Sequence, residues 1–268
     1  MIKEVKIDTI EKVKDLVFDT PYNPEIDRTR SSYFYRGLPN SSYKLLTSLS
    51  RNCKDKSKDL EQPLLDNFIK YMKIEDPTID DSIWKAMVIG QHYGLPTRLL
   101  DWTHSVLIAL HFATTEDNLD NMNDHDCVIW RIDMRDLNNN LPENYQQYLR
   151  DKRTFVFSLD GLASIANDIK TYDDDMGENS IVCFEPPSID QRIANQYSFF
   201  SVIPKDISDL EKFLDQKTTN TVKYIIDKNL RWKIRDILDQ FNINERMVYP
   251  GKAGISKWLA RHYFVKKK

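Results

Sequence analysis

Apolar residues along this chain change their spacing repeatedly, and the sharpest change lies between Trp84 and Ala113. Trp84, Met87 and Val88 fall at helical spacing, Leu99 to Trp102 has extended character, and Leu107, Leu110, Phe112 and Ala113 return to helical spacing. Gly94-Leu95-Pro96 interrupts the first segment. Glycine suits the left-handed position just past a helix, and proline drives the residue before it out of the α region. The pattern predicts a helix ending near Tyr93, a strand over Thr97 to Trp102 and a second helix. Gln91, His92, Thr97, Arg98, Asp101, Thr103, His104 and Ser105 crowd the two junctions of this otherwise apolar unit. Polar groups where core elements meet need partners or a ligand, and both readings stay open here.

The rest of the chain alternates in type. An amphipathic helix is predicted over Ile7 to Phe18, a strand over Ser31 to Gly37, an irregular connector over Lys44 to Arg51 and a helix over Leu60 to Met72. Cys127 to Ile132 reads as a strand, Asn138 to Lys152 as a polar excursion carrying a helix, and Ser158 to Ile169 as a helix. Thr115 to Asp126 and Tyr172 to Asn179 read as acidic surface loops. Beyond them come a strand stopped by Pro186-Pro187, a short helix over Ser188 to Asn195 and a strand over Gln196 to Ile203. Then follow a helix (Ile207 to Leu214), a strand (Thr221 to Ile226), a helix (Trp232 to Phe241) and a last helix after the turn Tyr249 to Gly254. No repeat or low-complexity linker divides the chain, which predicts one α+β domain over residues 1–268, its core about 31–204 and a C-terminal elaboration over 205–268.

Charge and cysteine content narrow the function classes. A net charge of −3 over 268 residues gives no global attraction to nucleic acid or membrane. Only Lys257 to Lys268 is locally basic, through Lys257, Arg261 and three terminal lysines; such a run reads first as a solvated terminus, and it is the clearest candidate surface for a polyanion. Cys53, Cys127 and Cys183 form no CxxC pair, which fits a reducing cytoplasm and argues against a zinc site or a disulfide framework. No apolar run suggests a signal peptide or approaches about 18 residues, so neither export nor a membrane span is expected.

Arg36 follows three aromatic residues and precedes Gly37, which lets the backbone turn or approach something closely; it either binds a ligand or pairs with a carboxylate such as Asp101. His104 and His111, seven residues apart, would share a helix face, but no carboxylate stands at ligand spacing and His92 lies on another element, so no metal is expected. Cys127 and Cys183 sit in apolar strands, where a thiol behaves as a small hydrophobe. No phosphate loop or dinucleotide fingerprint is present.

Phe34-Tyr35-Arg36-Gly37 and Gln91-His-Tyr-Gly-Leu-Pro-Thr-Arg-Leu-Leu-Asp-Trp-Thr103 together resemble the FRG domain, a family named for its Phe-Arg-Gly motif. Ser105 with Ala109-Leu-His-Phe-Ala113, Asp190-Gln-Arg-Ile-Ala-Asn-Gln196 and Tyr249-Pro-Gly-Lys-Ala-Gly254 agree with it. The resemblance spans about Tyr33 to Leu259. Two positions depart from the family's habit: Ser198 where glycine is usual and Gly251 where aspartate is common.

A further likeness is to the arginine-serine-glutamate ADP-ribosyltransferases, through an aromatic strand ending in Tyr-Arg-Gly, a second strand ending in a hydroxyl residue before a helix, and a late strand carrying a polar residue. That resemblance implies a mainly antiparallel, transferase-like sheet surrounded by helices, and NAD as substrate without a metal. It places Arg36 on the dinucleotide phosphates, Thr103 or Ser105 on the ribose, and Gln196 where the family has glutamate, with Asp101 or Glu185 as the alternative carboxylate. The implied dinucleotide site comprises Arg36, Gly37, His92, Tyr93, Arg98, Thr103 and Ser105, with Arg36, Asp101 and Gln196 in the chemistry. What the resemblance implies biologically is a cytoplasmic toxin or antiviral effector with a macromolecular acceptor, RNA or DNA among the candidates, an antitoxin partner and no membrane. Two other readings stand beside it: a non-catalytic module that binds nucleotide or nucleic acid, and an NAD hydrolase.

Overall fold

Short runs of β-branched and aromatic residues supply ten strands in the computed structural model, which describes residues 1–24 and 26–266. They are β1 (Lys3–Ile7), β2 (Tyr22–Asn23), β3 (Arg28–Thr29), β4 (Tyr33–Leu38), β5 (Leu99–Thr103), β6 (Cys127–Asp133), β7 (Phe157–Ser158), β8 (Val182–Glu185), β9 (Ser198–Val202) and β10 (Val222–Ile226). β2 and β3 form a small hairpin, and the other eight make one sheet in the order β1-β10-β6-β4-β5-β9-β8-β7. The inner pairings are antiparallel, while the outermost, β1 with β10 and β7 with β8, are parallel. The chain is therefore α+β with a mixed, mainly antiparallel sheet and flanking helices. Among the described residues no helix is long and apolar enough to cross a membrane.

Side chains alternate across the sheet, and residues paired on neighbouring strands share a face. One face holds two separate apolar clusters. Tyr35, Ile129, Tyr224 and Ile226 pack under the helices Ile10–Phe18, Val106–Ala113 and Arg231–Gln240. Leu99, Val182, Phe200 and Val202 pack under the helices Ile83–His92, Leu159–Ile165 and Ile169–Met176. The seam between the two clusters runs along the β4/β5 junction. The opposite face is continuous there, because Phe34, Leu100, Trp102, Val128 and Trp130 share one cluster. Seam and junction coincide on one face only, which is where a cavity can open without breaking the core.

Local signals moved several boundaries. Ile7 ends β1, and the first helix begins only at Ile10, with Thr9 Oγ1 accepting from the Lys12 amide at 3.3 Å. Ser48–Cys53 is helical rather than irregular, because Thr47 caps it. The expected helix over Ser158 to Ile169 is broken at Ala166, whose carbonyl accepts the Trp84 indole N–H at 2.7 Å. A new helix then starts after the Asp168 cap and takes in most of the expected acidic loop, with Tyr172 and Asp173 buried. Gln196 closes the helix Gln191–Gln196 instead of opening a strand, and Tyr197, at φ 47°, turns the chain into β9. His104 precedes the helix Val106–Ala113 and so shares no helical face with His111.

Candidate functional site

β4 and β5 pair at a single point, Tyr35 opposite Thr103. From there each follows its other neighbour, β4 staying on β6 through Leu38 and β5 on β9 through Leu99. The gap opens into a cavity of about 240 Å³. Tyr35, Arg36 and Gly37 of β4 line one wall, and Asp101, Trp102 and Thr103 of β5 the other. Phe112 of the helix Val106–Ala113, Arg192 and Gln196 of the helix Gln191–Gln196, and Ser198 of β9 complete it.

Arg36 bridges the splayed strands. Its Nη1 donates to the Asp101 carbonyl at 2.6 Å and lies 3.5 Å from Asp101 Oδ2. The side chain is 15% exposed, and its buried Nε–H has no hydrogen-bond partner. Burial pushes the guanidinium below the ordinary arginine range, Asp101 opposes that shift, and the nearby charge of Arg51 adds to it. Asp101, 53% exposed, also accepts from Gln91 Nε2 at 3.1 Å. Gln91 Oε1 accepts from Thr97 Oγ1 at 2.6 Å, and Ser48 Oγ in turn accepts from the Thr97 amide at 3.0 Å. Of the polar residues crowded at the first junction, Gln91 and Thr97 thus form with Ser48 a chain that ends on the Asp101 carboxylate.

Gly37 serves the fold. A Cβ there would stand 2.0 Å from the Ala109 carbonyl oxygen and 2.6 Å from the Ala113 nitrogen, so glycine is what lets the helix Val106–Ala113 lie against β4. Thr103 Oγ1 donates to the Gln196 carbonyl at 2.7 Å and accepts from the Ser105 amide at 3.1 Å. Ser105 caps the helix through a 3.4 Å bond from the Ile108 amide and is not part of the cavity wall. Gln196 Nε2 donates to the Val248 carbonyl at 3.1 Å, beside a parallel tie from Asn195 Nδ2 to Met247 at 2.7 Å. His92 Nε2 sits 2.7 Å from Asp190 Oδ2, the carboxylate that caps the helix Gln191–Gln196, and the exposed Tyr93 packs edge-on against His92. His92 thus pairs with the cap of the Arg192 helix, and neither it nor Tyr93 lines the cavity.

Arg98 is elsewhere. Its guanidinium is buried between Glu61, reached from Nε at 2.7 Å and from Nη2, and Asp173, reached from Nη1 at 2.6 Å. Burial works against its charge, but the two carboxylates raise its pKa above the ordinary range. It borders a different cavity, of about 280 Å³. Glu185 lies on β8, next to the edge strand, away from the cleft. Of the basic tail, Arg261 is buried against Asp239, 2.7 Å from Nη2, and Glu245, 2.8 Å from Nε, which removes it from any polyanion surface; Lys267 and Lys268 lie outside the described residues. Cys127 is buried and its thiol pushed up to about 12 by that burial, and Cys183 is raised further. Among the described residues no three His, Cys, Asp or Glu side chains are grouped to hold a metal.

The structure thus brings Arg36, Gly37, Asp101, Thr103 and Gln196 together and leaves His92, Tyr93, Arg98 and Ser105 off the wall. It adds Arg192, which sequence reasoning quoted within a motif without assigning it a role. Its ring partner Tyr249, 5.3 Å from the guanidinium carbon, belongs to another quoted motif, so the cue was the co-occurrence of two motifs distant in sequence. No curated protein and no solved structure matches the chain. The FRG domain family model matches residues 31–122; Arg36, Gly37, Gln91, Asp101 and the helix packed on Gly37 fall within that match.

Proposed function

We propose that the cleft between β4 and β5 binds NAD and that the protein transfers the ADP-ribose unit to a macromolecular acceptor, the sheet being of ADP-ribosyltransferase-like type. The observation that carries this reading is Arg36: a guanidinium fixed at one nitrogen, with a buried donor left unpaired, at the mouth of a gap between strands. A planar, pre-positioned fork suits a phosphate. Arg192 on the wall and Arg51 nearby make the surroundings cationic.

Breaking the nicotinamide–ribose bond sends the bonding electrons to the nicotinamide nitrogen, which leaves neutral, and develops positive charge on the sugar. A carboxylate held in place stabilises that charge, and Asp101, fixed by Gln91, is the carboxylate on the wall. The acceptor's oxygen or nitrogen then bonds to the anomeric carbon and its proton passes to Asp101 or to water. Thr103 supports the ribose side. Gln196 hydrogen-bonds but is no base near neutral pH. In this reading the protein is a toxin or antiviral effector of the cytoplasm, its acceptor RNA, DNA or protein, and an antitoxin partner restrains it.

One observation favours a second reading. The Gln196 amide is committed to the Val248 carbonyl, which suits a module that binds a nucleotide without reacting, or that passes ADP-ribose only to water. Incubation with NAD labelled in the adenylate moiety, with cell extract, separates the outcomes: label on nucleic acid or protein supports transfer, free ADP-ribose supports hydrolysis, and bound unreacted NAD supports a binding module. Arg36→Lys keeps the charge and loses the fork; it should weaken NAD binding roughly tenfold or more, the worth of a charged hydrogen bond. An unchanged affinity would remove the reading.

A further inference from the structure

A second guanidinium borders the cavity. Arg192 stands on the first turn of the helix Gln191–Gln196, exposed, and has no carboxylate within ion-pair distance among the described residues. It sits over the ring of Tyr249, 5.3 Å from the ring centre. Tyr249 is itself held edge-on to Phe112, at 6.4 Å, and Phe112 lines the cavity. Burial raises the Tyr249 phenol while the Arg192 charge works against it. A guanidinium held over a ring by a cation–π contact keeps N–H groups for an anion and loses fewer rotamers when it takes one up.

Charge balance in the cleft then points one way. Arg36 supplies one positive charge and already faces Asp101, so a ligand carrying two adjoining negative charges would be half compensated by Arg36 alone. The cavity, at about 240 Å³, falls below the roughly 300–1,000 Å³ that encloses a whole small ligand. It takes a part of a dinucleotide, and the part that suits two guanidinium groups is the diphosphate. We propose that Arg192 is a second phosphate-binding residue, which clamps a diphosphate together with Arg36 and makes the cleft select diphosphate-linked ligands over nucleoside monophosphates. This rests on the reading of the cleft as an NAD site.

Two unreactive probes test it on the full chain: ADP-ribose, which carries the diphosphate, and AMP, which carries one phosphate, titrated by calorimetry into wild type, Arg192→Ala, Arg192→Lys and Arg36→Lys. Arg192→Ala should weaken ADP-ribose roughly ten- to hundredfold and AMP less than about threefold, so that the preference between the probes collapses. Arg192→Lys should recover only part of it. Arg192 is exposed, so melting temperatures should match wild type. Equal weakening of both probes, or none, overturns the clamp. Should Arg36→Lys lower ADP-ribose affinity while Arg192→Ala does not, the NAD reading stands and the clamp falls. Wild type that binds neither probe overturns both.

Discussion

Gln91 and Asp101 are joined by a 3.1 Å hydrogen bond from Nε2 to Oδ2, and the Gln91 amide has one usable orientation because its Oε1 accepts from Thr97. The first residue lies on the last turn of the helix Ile83–His92 and the second on β5. Gly94, at φ 89°, makes the turn that folds one onto the other. A short stretch of sequence thereby places a carboxylate and fixes its angle.

Gln91→Glu preserves the acceptor for Thr97 and replaces the amide donor with a second carboxylate beside Asp101. Like charges at hydrogen-bonding distance raise one pKa of the pair. The acid limb of the NAD turnover profile should therefore move up by about one unit or more, with little change in melting temperature. Gln91→Leu should instead lose turnover at every pH, because Asp101 loses its orientation. An acid limb unmoved by Gln91→Glu would mean that Asp101 does not titrate in the reaction.

Gly37→Ala tests the fold beneath the site. The new methyl meets backbone atoms of Ala109 and Ala113, which cannot rotate away as a side chain can. Overpacking of this kind costs about 1–3 kcal/mol, read as a lower urea midpoint with an unchanged slope. Ligand affinity measured on the folded fraction should fall too, since the helix carries Phe112 into the cleft.

Much of this was legible in the sequence, and the residues show why. The helix end near Tyr93, the strand carrying Asp101 and the strand carrying Arg36 follow from glycine and proline stereochemistry and from aromatic runs, which are local, although that last strand continues past Arg36 to Leu38. Arg98 was misplaced for the opposite reason. Its partners Glu61 and Asp173 lie 37 and 75 residues away, and no periodicity links them. Asp173 read as part of a solvated acidic loop because its neighbours are acidic, yet helical phase turns it inward beside Tyr172. Arg192 and Tyr249 meet only in three dimensions.

The Arg98 cluster should behave as scaffold. Asp173→Ala leaves the buried guanidinium with Glu61 alone and strands the Lys205 amide, which donates to Asp173 Oδ1 at 3.1 Å. Breaking a buried pair costs about 3–5 kcal/mol, so the melting temperature should drop sharply. ADP-ribose affinity per folded molecule should stay within about twofold of wild type, a ΔΔG below about 0.5 kcal/mol. A selective loss of affinity at unchanged stability would restore Arg98 to the site.

Gln196 separates chemistry from architecture. Gln196→Glu places a carboxylate oxygen against the Val248 carbonyl that now accepts its Nε2. The tie should break at about 1–3 kcal/mol, visible in the melting temperature. If the carboxylate swings to the cleft, turnover should rise with pH through the carboxyl range. If Gln196 is only a tie, activity follows the folded fraction and the pH profile keeps its shape.

His111 gives the fold a pH dependence of predictable sign. It is buried on the helix Val106–Ala113 with Nδ1 2.9 Å from Arg235 Nη1. Since arginine only donates, Nδ1 is the acceptor and the ring is neutral. Burial, reinforced by the Arg235 charge, lowers its pKa from 6.5 to about 3. The unfolded chain takes up this proton below about pH 6.5 while the folded chain refuses it, so the contribution is fully present above 6.5 and is lost as pH falls toward 3. Glu245 lies in the same cluster. Burial would raise its carboxyl, but Arg261 and Arg235 prevail and hold it at about 2. Its contribution is complete above its ordinary 4.5 and is lost only below that. Between pH 6.5 and 4.5 the His111 slope should approach about 1.4 kcal/mol per pH unit. His111→Gln, whose amide oxygen still accepts from Arg235, should flatten that window in urea unfolding and leave the loss below pH 4.5 in place. A slope that survives the substitution would assign the effect to other groups.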